Sequence, residues 1–386
     1  MNEPVSIMSM ASVSALGADG QHVWKSYKRG VSRIESREFG TFSALVSSID
    51  SEVWEEIEEL RQIKNYRELD PYVLLAIYVS RRAVSKAGWN SQNIGVNIGS
   101  SRGSTHLIEK YHGEFLKSGA EIASTLSSPT TTLGNLSSWV GHDLQSSGPT
   151  ISHSIACSTA LHGILNGIAW LSSGMSQYFL AGGSEASNTP FTVAQLKALR
   201  IYAERDQEFP CRTLDPEKRS NSMVLGEAAA VFCLEKGKKS GALGVIEGVG
   251  FATEPLTHNI SISTDADCFQ RSMRMALDGM NPEEIDVIVT HAPGTLKGDS
   301  SELLAIQKVF KNHQPALTSN KWIIGHTLGA SGAMSLEMAV LMLGEQEFIG
   351  VPFLDGQKAP KRLSKVLVNA VGFGGNAVSL VITRNI

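Results

Sequence analysis

The sequence predicts an α/β protein made of two similar halves. Strand-like apolar runs alternate with helical stretches along the chain, as is typical of a sheet with helices on its faces. Each half also has a strand that leads into a turn with a reactive type of residue, followed by a helix of small residues. The two turns are Cys157-Ser-Thr-Ala and His326-Thr-Leu-Gly-Ala-Ser-Gly. At 386 residues the chain is long for a single core, which favours two units.

The elements of the first half follow from local patterns. Strands are predicted where short apolar runs end at glycine or polar turns, and helices where apolar residues recur at helical spacing. Gly174 is placed to cap the helix that follows the cysteine turn. The expected elements are a strand at 5–10, a helix at 22–30, a helix at Pro71–Ala87, a strand at Ile94–Gly99, a strand at 150–156, a helix at 158–173 and a buried strand at 178–181.

The second half repeats this alternation after a linker. The lysine- and glycine-rich segment Lys236-Gly-Lys-Lys-Ser-Gly is the best linker candidate, so we divide the chain into 1–240 and 241–386. The elements expected beyond it are a strand at 244–250, a helix at 268–279, a strand at 285–290, a helix at 300–310, a short apolar run at 322–324, a helix at 330–343, and strands at 366–370 and 378–382 around a glycine turn.

Composition excludes several classes of function. The chain has 34 basic and 38 acidic residues and a net charge of −4, so a nucleic-acid partner is not expected. The four cysteines are far apart and form no zinc-ligand pattern, which argues against a metal site and a disulfide framework. The N-terminus lacks the features of a signal peptide, and no apolar run approaches the roughly 18 residues of a membrane span. We expect a soluble, cytoplasmic protein.

Cys157 is a candidate nucleophile. It follows an apolar strand and opens a helix of small residues. The positive end of the helix dipole favours the thiolate, which is the reactive form of cysteine. The alternative is a buried core cysteine, because cysteine packs as a small apolar residue. The other three cysteines lack this setting.

Two histidines are candidates for acid–base or hydrogen-bonding roles. His291 ends a strand and is followed by a proline- and glycine-containing loop, and such strand ends often carry catalytic groups in α/β folds. His326 lies among glycines that would let the backbone approach a ligand, five residues after Lys321. Either histidine taken alone is also compatible with an ordinary hydrogen-bonded loop residue.

The turn Gly372-Phe-Gly-Gly separates two predicted strands. No helix follows it, and the chain contains no phosphate-binding loop of the Gly-x-x-x-x-Gly-Lys-Ser/Thr type. A nucleotide site is therefore disfavoured. We expect this turn to offer a backbone N–H group and a movable phenyl gate.

Taken together, these motifs resemble those of the β-ketoacyl-[acyl-carrier-protein] synthases of the thiolase-like superfamily, in particular the elongating Cys-His-His type. The resemblance covers nearly the whole chain, and the order and spacing of the motifs make it specific. The motifs are the start from Val5 to Gly17, Gly148-Pro-Thr-Ile-Ser to Cys157-Ser-Thr, Ala181-Gly-Gly-Ser-Glu-Ala, Leu225-Gly-Glu-Ala-Ala-Ala, His291 to Asp299, Lys321 to Gly332, and Gly372-Phe-Gly-Gly.

The family implies a fold and a reaction. The fold would be a five-layered αβαβα sandwich of two duplicated halves. Cys157 would accept an acyl group from a carrier-protein thioester, and the backbone N–H groups of Cys157 and Phe373 would form the oxyanion hole. His291 and His326 would hold the malonyl thioester carbonyl during decarboxylation, and the enolate would attack the acyl group on Cys157. No cofactor would be needed, because phosphopantetheine arrives on the carrier protein.

The family also implies supporting roles for other residues. Lys321 would organise the site electrostatically, and Phe373, between Gly372 and Gly374, would gate acyl entry. Thr295 would help to bind the phosphopantetheine arm. The supporting acids near the first histidine would be Asp299 and Glu302.

The chain departs from the family pattern at several positions. Ser335 stands where the family usually has glutamate, so Lys321 would lose its usual neighbour, for which Asp299 or Glu302 could compensate. Pro293 replaces a threonine that typically binds the phosphopantetheine arm. These differences indicate a specialised synthase for a fatty-acid, polyketide or polyene chain.

Three other assignments fit the sequence less well. A low-activity or non-catalytic chain-length-determining partner subunit would typically lack the nucleophile, which argues against it, although Ser335 and Pro293 keep it open. A coenzyme A thiolase would need a second, late cysteine after a glycine. A priming ketosynthase would carry Cys-His-Asn in place of the two histidines.

The expected partners are an acyl carrier protein and a second ketosynthase-like chain. Carrier proteins are acidic, and the two candidate docking clusters are Arg61, Lys64 and Arg67, and Lys197, Arg200 and Arg205. The strand at 150–156 would form the dimer contact. Acyl length, the pathway and the choice between homodimer and heterodimer are not predicted.

Overall fold

The computed structural model describes residues 3–18, 20–90, 92–255, 262–311, 313–354 and 356–385. The strands are β1 (Val5–Ser14), β2 (Glu35–Glu38), β3 (Ser43–Ser47), β4 (Ile94–Gly99), β5 (Thr150–Ile151), β6 (Tyr178–Glu185), β7 (Leu225–Gly226), β8 (Ala228–Lys236), β9 (Gly244–Thr253), β10 (Val287–Val289), β11 (Ala316–Thr318), β12 (Lys365–Gly372) and β13 (Asn376–Thr383).

The α-helices are α1 (Gly20–Arg29), α2 (Ser51–Glu58), α3 (Pro71–Ala87), α4 (Thr105–Lys117), α5 (Ser127–Thr131), α6 (Asn135–Asp143), α7 (Thr159–Ser173), α8 (Pro190–Ala198), α9 (Asp267–Ala276), α10 (Leu296–Phe310), α11 (Lys321–Ile324) and α12 (Ser331–Glu345). Short 3-10 helices lie at Glu59–Gln62, Lys64–Tyr66, Pro282–Glu284 and Leu328–Ala330. Among the described residues, no helix is long and apolar enough to cross a membrane.

The two halves share one sheet topology. The first sheet has the order β1-β8-β6-β4-β5 and the second the order β9-β13-β12-β10-β11. In the first sheet, β8 is antiparallel to both of its neighbours and β4 is parallel to both of its own. In the second sheet, β13 and β10 have these same relations. This correspondence, strand for strand, confirms the predicted duplication.

Helices separate and cover the two sheets. On the outside, α3 packs against β1 and β8, and α9 packs against β9 and β13. Between the sheets, α7 packs against β6, α12 packs against β12 and β8, and the two helices contact each other. The order of layers is therefore α3, first sheet, α7 with α12, second sheet, α9, which confirms the five-layered αβαβα sandwich.

The sequences of the helices explain which layer each one occupies. In α12, residues around the whole helix are buried, as expected for a helix without a polar face. In α9, the apolar residues Cys268, Phe269, Met273 and Ala276 are buried, and the exposed positions carry Asp267, two arginines and Met275. An amphipathic helix of this kind fits only an outer layer, because one of its faces must reach water.

One small sheet connects the halves beside the site. It has the order β2-β3-β7, and β7 pairs in parallel with β3. Leu225 in β7 also forms a bridge to His326 of the second half. The chain passes between the halves through the residues that separate β8 from β9, where the sequence predicted a linker.

Two predicted boundaries were wrong in ways that affect the site. The strand predicted at 150–156 is only Thr150–Ile151, because side chains take over the next backbone groups: Asn97 Nδ2 and Ser137 Oγ both donate to Ile151 O. The helix predicted at 300–310 begins at Leu296, because Thr295 caps it by accepting from Gly298 N. The earlier start brings Asp299 and Glu302 into its first turns.

Candidate active site

Cys157 lies in a sharp turn between β5 and α7. Ala156, just before it, has a left-handed backbone with φ of 45°, and α7 begins two residues after the cysteine at Thr159. Thr159 Oγ1 fixes the turn, since it accepts from Ile155 N and donates to Ala156 O. The thiol is buried in this position. The strained turn therefore sets the cysteine at the N-terminal end of a 15-residue helix.

The turn after β12 packs directly on this cysteine turn. A β-carbon at Gly372 would lie 2.5 Å from Ile155 O and 3.2 Å from Ser158 Oγ, so the residues on both sides of Cys157 touch Gly372. Only glycine permits this approach. Phe373 follows, and its ring is 46% exposed, while among the described residues none accepts a hydrogen bond from its backbone N–H. A free N–H group thus lies close to the cysteine.

The structure brings the two histidine rings together. The ring centroids of His291 and His326 are 5.2 Å apart and the rings are nearly perpendicular. Both side chains are buried, and neither Nδ1 atom has a hydrogen-bond partner among the described residues. Both Nδ1 atoms are also closed off from solvent, so Nε2 is the ring nitrogen that can reach a substrate.

His326 is held by the backbone of the first half. Its N–H donates to Val224 O at 2.6 Å, and its carbonyl accepts from Gly226 N at 3.1 Å. Gly325 precedes it with φ of 65°, and a β-carbon there would lie 2.8 Å from Val224 O. The glycine is required both by its backbone conformation and by this close contact.

Two buried carboxylates hold the loop that carries His291. Glu302 accepts from the backbone N–H groups of His291 at 2.9 Å and Ala292 at 2.7 Å. Asp299 accepts from Gly294 N at 2.9 Å and forms an ion pair with Lys218. Glu302 also accepts from Asn369 Nδ2, and Asp299 also accepts from Leu214 N. Neither acid hydrogen-bonds to Lys321, whose Nζ has no partner among the described residues.

Lys321 begins α11 and is buried at 1% exposure. Among the described residues its Nζ has no hydrogen-bond partner, and the same is true of Ser335 Oγ in α12. Burial lowers the pKa of Lys321 to about 8, although the charges of Glu302, Cys211 and Asp299 act in the opposite direction. Lys321 therefore carries a positive charge at neutral pH without a direct partner.

Burial dominates the acidity of Cys157. Burial, with a smaller contribution from the charge of Glu185, raises the pKa of the thiol from 9.0 to about 12, against the lowering effect of Lys321 and Arg102. A shift of three units corresponds to about 4 kcal/mol, whereas a helix N-terminus contributes at most about 2 kcal/mol. The thiolate expected from the helix dipole is thus not the resting form, and the thiol must lose its proton during the reaction.

Both imidazoles are neutral at neutral pH. Burial lowers the pKa of His291 and of His326 well below 6.5, and the charge of Lys321 lowers both further. A neutral imidazole can accept a proton from a thiol or donate one hydrogen bond to an oxygen. The pair can therefore serve both proton transfer and carbonyl binding without a metal ion.

One cavity of about 400 Å³ joins these groups. Of the predicted site residues, it is lined by Cys157, His291, His326, Thr295, Gly372 and Phe373. The other four predicted site residues do not line the cavity. Lys321 acts on it through its charge, Asp299 and Glu302 through hydrogen bonds to the His291 loop, and Gly374 as part of the turn that carries Phe373. No Asp or Glu lines the cavity in the part of the chain that the structure describes.

Comparison with known proteins settles the family. A model of the β-ketoacyl synthase N-terminal domain matches residues 2–240, and a model of the C-terminal domain of the same family matches residues 243–351. The chain belongs to the β-ketoacyl synthase family. This confirms the resemblance drawn from the motifs.

Individual relatives agree with the family. A 3-oxoacyl-[acyl-carrier-protein] synthase 2 of Coxiella burnetii (strain RSA 493 / Nine Mile phase I) is 29% identical over 98% of each chain. The ishigamide ketosynthase/chain length factor superposes with a TM-score of 0.86 at 20% identity, over 99% of each chain. A type II polyketide ketosynthase in complex with its acyl-carrier protein gives 0.84 at 19% identity, over 99% of each chain. Because these two structures are at most 20% identical to the chain, their superposition shows that it has the same fold and no more than that.

Glu185 is a site residue of this β-ketoacyl synthase that the sequence motifs did not predict. This buried carboxylate, at the end of β6, accepts from Ser100 Oγ, Ser101 N, Arg102 N and Gly329 N. It thereby ties the loop after β4 to the segment that follows His326. The residue lies in the quoted Gly-Gly-Ser-Glu-Ala motif, so a signal was present, but its partners are distant in sequence.

Arg102 and Asn221 were also missed, and both line the cavity. Asn221 donates to Arg200 O and accepts from Leu296 N at the start of α10. Arg102 lies in the loop between β4 and α4. Neither residue forms part of a local motif, so only the fold reveals that they face Cys157.

Proposed function

We propose that this β-ketoacyl synthase condenses a malonyl group, held on a carrier protein, with an acyl group held on Cys157. The observation that carries the proposal is the single cavity in which Cys157 meets two neutral imidazoles, 5.2 Å apart, beside a free backbone N–H. This set provides a nucleophile, a proton acceptor and donors for an oxyanion.

The first step transfers the acyl group. A neutral imidazole accepts the proton of the Cys157 thiol, and the sulfur attacks the thioester carbonyl of the acyl carrier protein. The N–H groups of Cys157 and Phe373 stabilise the oxyanion, as their placement next to Gly372 supports. The carrier thiolate leaves and takes up the proton, so one thioester forms as another breaks.

The second step forms the carbon–carbon bond. His291 and His326 donate hydrogen bonds from Nε2 to the malonyl thioester oxygen, and loss of carbon dioxide leaves an enolate. Its carbon attacks the acyl carbonyl on Cys157, the cysteine sulfur leaves as thiolate, and the thiolate takes a proton from solvent water. Thr295 lies on the same wall as His291 and is assigned to the phosphopantetheine arm, which is part of the substrate.

A basic surface beside the cavity supports docking of an acidic carrier protein. A second cavity, of about 480 Å³, shares Asn221 with the first. It is lined by Arg200, Arg205 and Arg219, together with Glu204 and Glu217. Two further cations on its wall, Arg212 and Lys218, are ion-paired with Asp215 and Asp299. By contrast, the guanidinium group of Arg61 donates hydrogen bonds to Glu58, Arg67 O and Leu69 O, and so is less available to a partner protein. We therefore assign docking to the cluster around Arg200.

We further propose that the active unit is a dimer formed through β5. This short strand lies at the edge of the first sheet, where its outer backbone groups can pair with another chain. Exposed apolar side chains in the segment before it support this assignment: Ile108, Leu116, Ile122, Leu126 and Leu133. A dimeric mass in light scattering is expected, and a monomeric mass would contradict it.

The test of the proposed function is the intact mass of the protein after incubation with acyl carrier protein thioesters. We expect a gain of one acyl group in wild type and in Cys233→Ala, whose cysteine is buried in β8, and no gain in Cys157→Ala. If no acyl group is taken up by wild type, the chain is the non-catalytic partner of a ketosynthase pair instead.

A further inference from the structure

Arg102 is the least explained polar group of the catalytic cavity. Its side chain lines the wall that also carries Cys157. The residues described in the structure provide no hydrogen bond or ion pair for its guanidinium group; only its backbone N–H is bonded, to Glu185. A guanidinium group that lines a cavity without a hydrogen-bond partner is a ready site for a planar anion.

The position of Arg102 is rigid. Glu185 binds the backbone N–H groups of Ser101 and Arg102, and Ser100 Oγ accepts from Gly103 N. Gly103 has φ of 67°, and a β-carbon there would lie 2.5 Å from Leu133. The loop therefore presents Arg102 to the cavity from a fixed backbone, which is what a selective contact requires.

The rest of the cavity is poorly suited to balance this charge. Its described lining contains the cations Arg102 and Lys297 and no carboxylate. Much of the remaining wall is apolar: Leu196, Ile201, Met223, Leu328 and Val371. An alkyl chain that filled this space would remove water from the guanidinium group without replacing its hydrogen bonds, which is costly.

Arg102 acts on the acyl side of the site. Its charge lowers the pKa of the Cys157 thiol, whereas it is not among the charges that lower the pKa of His291 or His326. The imidazoles are where the malonyl group is expected to lose carbon dioxide. Ser154 Oγ, three residues before Cys157, also donates to Ser101 O, which joins the loop of Arg102 to the segment that leads into the cysteine turn. Arg102 is thus placed to contact the group attached to Cys157.

We propose that Arg102 selects acyl groups that carry a carboxylate of their own, and that it binds this carboxylate while the thioester lies at Cys157. The inference rests on the proposed function and narrows its substrate class to acyl groups derived from dicarboxylic acids. The covalent step is the same exchange of thioesters, and the second carboxylate takes no part in bond formation.

The experiment compares matched pairs of acyl carrier proteins, equal in chain length and ending in either carboxylate or methyl. The initial rate of mass gain on Cys157 is measured for wild type, Arg102→Leu and Arg102→Lys. Because a hydrogen bond to a charged group is worth about 1.5–3 kcal/mol, we expect wild type to favour the carboxylate roughly 10-fold or more. Arg102→Leu should reverse that preference, and Arg102→Lys should retain its direction.

Several results would overturn the inference. One is that wild type reacts with methyl-terminated groups at least as fast as with carboxylate-terminated groups at every chain length. The same result would be seen if a carboxylate of a partner subunit occupied Arg102. A second contrary result is that Arg102→Leu lowers the initial rate of mass gain equally for carboxylate-terminated and methyl-terminated groups. A third is slower release of carbon dioxide from malonyl carrier protein by Arg102→Leu already acylated with a methyl-terminated chain.

The failure of the proposed function would look different. In that case wild type would take up no acyl group of either kind. If wild type takes up methyl-terminated groups at least as fast as carboxylated ones, the synthase assignment stands and only the role of Arg102 is removed. If Arg102→Leu does not fold, the wild-type preference and the Arg102→Lys variant still decide the question.

Discussion

The two halves of the molecule have the same topology and carry different chemistry. In the first half, the chain leaves β5, makes a strained turn at Cys157 and enters α7. In the second half it leaves β11, passes Lys321 and His326 and enters α12. The first turn supplies a nucleophile, and the second supplies a buried cation and a neutral imidazole. One fold repeated twice thus provides two complementary parts of a single site.

The comparison also shows how the parts are joined. Gly372 of the second half touches the turn that carries Cys157, and Val224 and Gly226 of the first half hold His326 by its backbone. Each half therefore positions the reactive residue of the other. We expect acyl transfer to need groups of both halves, namely Cys157 from the first and an imidazole and the Phe373 N–H from the second, and decarboxylation to depend chiefly on the second.

The largest expected effect separates these two steps. In His291→Ala, condensation should fall roughly 10²- to 10⁴-fold, the usual contribution of a positioned acid–base residue, while the acyl adduct on Cys157 still forms. Product formation and intact mass are measured on the same samples. His112→Ala, at an exposed position of α4, is the control and should match wild type. Equal loss of both steps in His291→Ala would contradict the assignment of His291 to decarboxylation.

A substitution at the contact between the halves should have the next largest effect. Gly372→Ala places a β-carbon 2.5 Å from Ile155 O, so the two turns must separate and the N–H of Phe373 must move. Loss of an oxyanion donor costs roughly 10²-fold, and we expect the acylation rate to fall at least roughly 10-fold. Gly344→Ala, at an uncrowded site in α12, should leave the rate unchanged. Normal acylation by Gly372→Ala would exclude Phe373 from the oxyanion hole.

Lys321 gives a prediction on pH and stability. Its pKa falls from 10.5 to about 8 on folding, so the unfolded chain binds more protons between these values and wild-type stability rises with pH through that window. Lys321→Met removes a buried charge and should raise the free energy of unfolding by about 1–3 kcal/mol at pH 7. The gain should shrink above pH 8. Urea denaturation at several pH values measures it, and a gain independent of pH would contradict the buried-charge account.

The smallest expected effect concerns carrier docking, outside both reactive turns. Exposed charge pairs contribute about 0.2–1 kcal/mol each, so Arg200→Glu with Arg205→Glu should raise KM for acyl carrier protein roughly 2- to 10-fold. The value of kcat should change little. The double variant should react with acyl-pantetheine, which lacks the carrier surface, at the same rate as wild type. An unchanged KM for the carrier protein would move docking to another surface.

Much of the fold could be predicted from the sequence. The alternation of strands and helices predicted the class, and the similar contexts of Cys157 and His326 predicted the duplication, because these signals are local. The bounds of β5 and α10 were wrong because their ends depend on side chains, Asn97 and Ser137 for the strand and Thr295 for the helix.

The site was predicted as separate motifs and not as an arrangement. Cys157, His291 and His326 each have a local signature, whereas the acidity of the thiol does not. Burial, which the sequence does not display, outweighs the helix dipole and raises its pKa to about 12. The sequence did not predict Glu185 because its hydrogen-bond partners are about 80 or more residues away. It did not predict Arg102 because only the folded chain forms the cavity that this residue lines.

The most direct test of the account is a single turnover by acylated enzyme. Protein carrying one acyl group on Cys157 is mixed with malonyl carrier protein, and the masses of both proteins are followed. The account predicts that the enzyme returns to its unmodified mass while the carrier protein loses carbon dioxide and gains the acyl group. An enzyme that remains acylated, with malonyl carrier protein unchanged, would contradict the claim that Cys157, His291 and His326 form one condensing site.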